Sequence, residues 1–132
     1  MRRQLVAAVL GLAIAPAALP AHAEGPTAPP AGVAAYEPDL LRLSEILGAV
    51  QFLRELCGTN EGSLWRQQMQ ALIDAEQPTD LEKARMIDRF NRGYESYRSV
   101  YRVCTDSARL AVDRYLEEGA RIAAEVAARY GK

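Results

Sequence analysis

The side chains able to do chemistry are few: two cysteines, Cys57 and Cys104, a single histidine, His22, and a scatter of carboxylates and arginines along 132 residues. A redox or nucleophilic thiol needs a neighbour that favours the thiolate, such as a histidine or a second cysteine in a CxxC pair. The two cysteines are far apart, and the histidine sits at the very start of the chain. Asp74, Glu76 and Asp80 lie close together in sequence, and two carboxylates at the right separation can hydrolyse a glycosidic bond. Acids near helix ends are far more often caps or arginine partners, so no catalytic residue is assigned. Without a second histidine, and with the cysteines expected to be oxidised, only carboxylates remain as ligands; neither a metal nor another cofactor is expected.

Binding chemistry has more to draw on. Arg85, Arg89 and Arg92 recur at steps of 4 and 3, and Arg98 and Arg102 form a further i,i+4 pair. Such a row suits an anionic group, because the guanidinium fork matches carboxylate and phosphate. The simpler reading is a solvated helix face neutralised by Asp88, Glu95 and carboxylates elsewhere. Tyr94, Tyr97 and Tyr101, with Trp65, make either an aromatic pocket or ordinary core, and their place on an apolar stripe favours core. If a binding surface exists here, Trp65, Arg66, Arg92, Tyr97, Arg98 and Arg102 are its best candidates.

These residues depend on a scaffold. Residues 1–23, MRRQLVAAVLGLAIAPAALPAHA, have two arginines, a short apolar run and an Ala-His-Ala site. That is the pattern of a signal peptide, too short for a membrane span. Its removal would take Arg2 and Arg3 from 16 basic residues and leave 14 against 17 acidic, a net charge of −3. A mildly acidic chain with no basic tail has no electrostatic footprint for nucleic acid. Residues 24–37 are rich in Pro, Gly and Ala without hydrophobic period and read as a flexible tether. Residues 38–132 are left as one small helical domain.

Its expected fold is all-α: an antiparallel bundle of four helices at about 38–57, 63–76, 79–104 and 106–130. In the first, Leu43, Ile46, Val50, Leu53 and Cys57 follow helical spacing up to Gly58. Ser63 is a candidate cap for the second, with Trp65, Met69, Leu72 and Ile73 on one side. Thr79 and Glu82 form a capping box for the third, whose stripe reads Ile87, Phe90, Tyr94, Tyr97, Tyr101, Cys104. The fourth carries Ala108, Val112, Tyr115, Gly119, Ile122, Val126 and Tyr130, with Glu117–Arg121 and Glu125–Arg129 as surface pairs. Gly93 and Gly119 suit close helix approach. The stretch Phe90 to Thr105, dense in aromatic residues and arginine, stands as the centre of the design.

An exported chain meets an oxidising compartment, where an even pair of cysteines forms a disulfide. In an up-down-up-down bundle the first and third helices finish at the same end, which brings Cys57 and Cys104 together.

The segments LRELCG (53–58), WRQQMQALIDAE (65–76), FNRGYESYRSVYRVCT (90–105) and YLEEG (115–119) resemble an uncharacterised family of small exported alphaproteobacterial proteins. That family is a domain of unknown function with two well-separated cysteines. The resemblance implies an envelope location in a Gram-negative cell and a Cys57–Cys104 bond, and it implies no activity. The expectation is therefore a non-enzymatic periplasmic protein that binds a protein partner or an anionic envelope component, with no membrane span once the leader is removed. A small peptidoglycan-active hydrolase using the carboxylates and a periplasmic stress chaperone are the alternatives.

Overall fold

In the computed structural model the described residues are 36–130, so the leader and nearly all of the tether lie outside them. They form α1 (Glu37–Leu56), α2 (Leu64–Glu76), α3 (Asp80–Arg98) and α4 (Asp106–Tyr130), with no strand among the described residues. The chain is the expected all-α bundle, closed by a disulfide between Cys57 and Cys104.

The centre is α1 rather than the Phe90–Thr105 stretch. Close helix packing runs from α1 to each of the other three helices. Leu40, Ser44, Ile46, Gly48, Ala49, Val50, Gln51, Phe52 and Leu53 are all buried, which takes in the whole circumference of the helix. A stripe at steps of three and four therefore under-describes it: α1 is enclosed on several sides. Contacts fix the directions. Glu37 pairs with Arg85 and Glu45 with Arg89, so α3 runs parallel to α1. Arg42 pairs with Glu118 near the start of α1, while Leu53 near its end clusters with Ala108, so α4 runs antiparallel.

Two glycines set the α1–α3 distance. A Cβ on Gly48 would lie 1.9 Å from the Phe90 carbonyl oxygen, and one on Gly93 would lie 2.0 Å from that of Glu45. Backbone meets backbone there, and no side chain fits between. This contact also corrects the register of α3. Met86, Phe90 and Gly93 are its buried residues, whereas Ile87 is 41% exposed.

Local signals place most of the ends. The Thr79 capping box is formed, with Thr79 N donating to Glu82 Oε2 at 2.8 Å and Glu82 N to Thr79 Oγ1 at 3.3 Å. Gln77 closes α2 in the left-handed region before Pro78. Ser63 makes no capping bond to backbone; instead Gln51 of α1 accepts from Arg66 N at 3.1 Å, and its amide donates to the Gly62 carbonyl at 2.9 Å. A buried polar side chain thus caps a neighbouring helix.

Helix α3 stops at Arg98, six residues before the expected end at Cys104. The hydroxyls of Ser96 and Ser99 donate back to the carbonyls of Arg92 and Ser96, an alternative to continued helix. The chain then turns through exposed Val100 and Val103, and Tyr101 stacks on Tyr97. Cys104 therefore sits on the α3–α4 connection and not on a helical stripe, and reaches Cys57, the residue capping α1, with 4.9 Å between Cα atoms. Thr105 caps α4 by accepting from Ala108 N at 3.1 Å. On α4, Ala108, Val112 and Ile122 are buried as expected, while Arg121 pairs with Glu125 rather than Glu117.

Candidate functional site

Because α1 is enclosed on the α3 side by backbone contact, the opposite side has room. A groove runs between α2 and α4 with α1 as its floor. Its upper part, about 430 Å³, is lined by Leu43, Ile46, Leu47 and Val50 of α1, Trp65, Gln68, Ala71 and Leu72 of α2, and Tyr115, Leu116, Gly119, Ala120 and Ala123 of α4. A lower part of about 290 Å³ shares Leu43, Leu72 and Ala123 and continues past Leu40, Val126 and Ala127 to Tyr36 and Glu76. The walls are open because α2 and α4 present alanines to each other: Ala71 faces a wall carrying Ala120 and Ala123. Small side chains there leave Leu43 and Leu47 of the floor half-buried, while Ile46 and Val50 are covered.

At the upper end a polar cluster fixes Trp65. The indole N–H donates to Glu61 Oε2 at 2.8 Å, and Arg54 Nε donates to the same oxygen at 2.8 Å. The Arg54 guanidinium, then the indole, hold the Glu61 carboxyl down at about 2, well below its ordinary 4.5.

The six residues singled out in the sequence are spread over three seams. Trp65 lines the groove. Arg66, the next residue, points to the α2–α3 side, its guanidinium 5.5 Å from the Phe90 ring centre and 5.0 Å from that of Tyr94. Tyr97 lies in the α3–α4 seam, its hydroxyl 2.6 Å from that of Tyr115. Burial, then that hydrogen bond, raises the Tyr97 phenol above its ordinary range. Arg92 and Arg98 pair with Asp88 and Glu95 on their own helix, and Arg102 is exposed on the connection. Arg85 and Arg89 likewise have acidic partners, Glu37 and Glu45. The arginine row is thus the neutralised face of the simpler reading. The tyrosines pack against the cluster of Phe52, Leu53, Ala108 and Val112.

Of the three clustered carboxylates, Asp74 accepts from Gln70 at 2.8 Å, Asp80 opens α3, and Glu76 lines the lower groove. No group of three or more metal-ligating side chains is assembled among the described residues. None of the described helices is long and apolar enough to cross a membrane.

Fold and groove together define a small disulfide-closed helical domain with an apolar cleft. Residues 35–130 match the family described as "Protein of unknown function (DUF2385)", and the chain belongs to it. No curated protein and no solved structure gives a significant match.

Sequence reasoning missed the groove-lining residues Leu47, Ala71, Ala120 and Ala123. Two signals pointed there: α1 carries apolar residues all around its circumference, and α4 carries the alanine-rich run Ala120, Ala123, Ala124, Ala127, Ala128.

Proposed function

We propose that this chain is a non-enzymatic, exported protein that works in the periplasm by binding a protein partner, and that the α2–α4 groove is the contact surface. One observation carries the reading: a continuous apolar cleft, floored by the central helix, that its own walls do not close. Exposed apolar surface of this kind, walled by helices and edged by polar residues, is the usual form of a protein-recognition groove. Export is supported by the leader-like residues 1–23 and the oxidised cysteine pair. Contact with an anionic component through the arginines is the weaker reading, because those of α3 are already paired with carboxylates.

The test is site-specific photo-crosslinking in the native envelope from Ala120, on the groove wall, and from Ala84, exposed on α3. One discrete protein adduct from Ala120 and none from Ala84 is expected. Equal adducts from both positions, or none from either, would remove the groove as the contact surface.

A further inference from the structure

Charge is distributed unequally between the two sides of the molecule. On the closed side five acids have cationic partners, Glu37 with Arg85, Glu45 with Arg42 and Arg89, Asp88 with Arg92, Glu95 with Arg98 and Glu118 with Arg42, while Glu55 there accepts from Tyr94 and Glu82 caps α3. Around the groove the pattern reverses. Glu76 lines its lower end. Asp74 stands one turn beyond Ala71, and Asp113 and Glu117 one turn before Leu116 and Ala120, on the flanks that carry those lining residues. Among the described residues none of these four acids is in an ion pair; Asp113 lies within the longer-range field of Arg54, which Glu61 already engages. No lysine or arginine lines either part of the groove. The basic residue of α2, Arg66, faces away onto Phe90 and Tyr94.

We infer that the partner segment is an amphipathic helix with a narrow apolar face and lysine or arginine along its flanks. This rests on the groove being the contact surface. The floor from Leu40 to Val50 covers about 15 Å at 1.5 Å per residue, the length of roughly three helical turns. Alanine walls admit a helix close to the floor, where its apolar side chains reach Leu43, Leu47 and Leu72. Flanking cations then meet Asp74, Glu76, Asp113 and Glu117, acids that the chain itself leaves without cationic partners. An anionic membrane surface is the wrong match for such a rim, and a second copy of this chain would set acidic rim against acidic rim.

Trp65 is the chain's single tryptophan and stands in the groove wall, so its emission reports occupancy directly. The experiment titrates the disulfide-bonded protein with two model peptides of three turns, sharing one Leu/Ala face and carrying Lys or Glu on the flanks. The Lys-flanked peptide should bind at least ten-fold more tightly, with a preference that shrinks as salt rises. In the double variant Asp113→Lys, Glu117→Lys, which leaves two rim acids against two lysines, the preference should disappear. Ala123→Arg, and independently Ala120→Arg, should abolish binding of both peptides, with helical circular dichroism confirming that each variant is folded. Equal affinity for the two peptides, or a preference untouched by charge reversal, overturns the charge inference while the groove stands. Lys-peptide binding undiminished in both arginine variants overturns the groove itself. Absence of Lys-peptide binding overturns the inference, as does Trp65 emission that changes with protein concentration alone, the sign of a second copy in the groove.

Discussion

The two sides of α1 are built on opposite principles. Towards α3 the helices touch backbone to backbone at Gly48 and Gly93, and the acids above and below are matched by arginine. Towards α2 and α4 the same helix shows Leu43 and Leu47 to a cleft whose walls stand apart. Apolar surface and unpaired acids are left on that side, although closing it would have buried more hydrocarbon. The comparison separates two jobs: the α1–α3 seam and its disulfide hold the fold, and the α2–α4 side is free to meet something else.

The largest effect should come from breaking the closed side covalently. The bond encloses a 47-residue separation, a loop worth about 4 kcal/mol in the chain-entropy account. Reduction should lower the melting temperature by roughly 20 °C for a domain of this size. An unchanged melting curve with and without reductant would show that the seam holds unaided.

Next come the glycines. Gly93→Ala forces a methyl into the Glu45 carbonyl, and Gly48→Ala does the same at Phe90. Neither neighbour is a side chain that can rotate away, so each substitution should cost about 3 kcal/mol, the upper end for overpacking. Gly119→Ala is the matched control on the open side. Its methyl would lie 3.3 Å from Ile46 Cγ2, a side-chain contact that can yield, and the gain in helix propensity of about 1 kcal/mol offsets it. Chemical denaturation of the three variants checks the contrast. Equal losses at Gly93 and Gly119 would mean that the two sides are packed alike.

The glycines also show how much the sequence makes legible. The capping box, the start of α4, the residues Ala108, Val112 and Ile122, and the cysteine pairing follow from local chemistry and topology, and the structure agrees. The register of α3 does not follow. Met86-Phe90-Gly93-Tyr97 and Ile87-Phe90-Tyr94-Tyr97 are both helical stripes, and the one through Ile87 and Tyr94 is the more hydrophobic. Which of them is buried depends on where another backbone approaches, and Gly48, which permits that approach, lies far away in sequence. The end of α3 at Arg98 was hidden because the aromatic spacing runs on through Tyr101, whose ring stacks on Tyr97 from outside the helix. The groove was hidden for a related reason. It is the space that α2 and α4 leave unfilled, and a stripe of apolar residues has the same spacing whether its partner is present or absent.

A smaller effect is expected from acid. Glu61 anchors Arg54 and Trp65 at the top of the groove, and its folded carboxyl titrates at about 2 against an ordinary 4.5. A depressed value means that the contribution is complete above pH 4.5 and is lost as pH falls towards 2. Solvent reaches this pair, so the contribution is roughly 1 kcal/mol. Wild type should exceed Glu61→Gln in stability by that amount at pH 6, with the gap closing by pH 2.5. A gap that stays constant with pH would assign the difference to packing of the glutamine.

The smallest effect on stability, and the most informative about the open side, is expected at Ala123. Its side chain lines the groove and is exposed, with no core contact to lose. Ala123→Gln should therefore change the unfolding free energy by less than about 0.5 kcal/mol, as surface substitutions do. The longer amide would nonetheless stand in the cleft above Leu43 and Leu72, which line it with Ala123. If the open side exists for a partner, the adduct expected from Ala120 should weaken in this variant while the melting curve stays put. A site where function moves and stability does not is what the two-sided reading demands of the groove. Loss of stability at Ala123 comparable to that at Gly93 would instead make the α2–α4 wall part of the same core, and the contrast between the two sides of α1 would disappear.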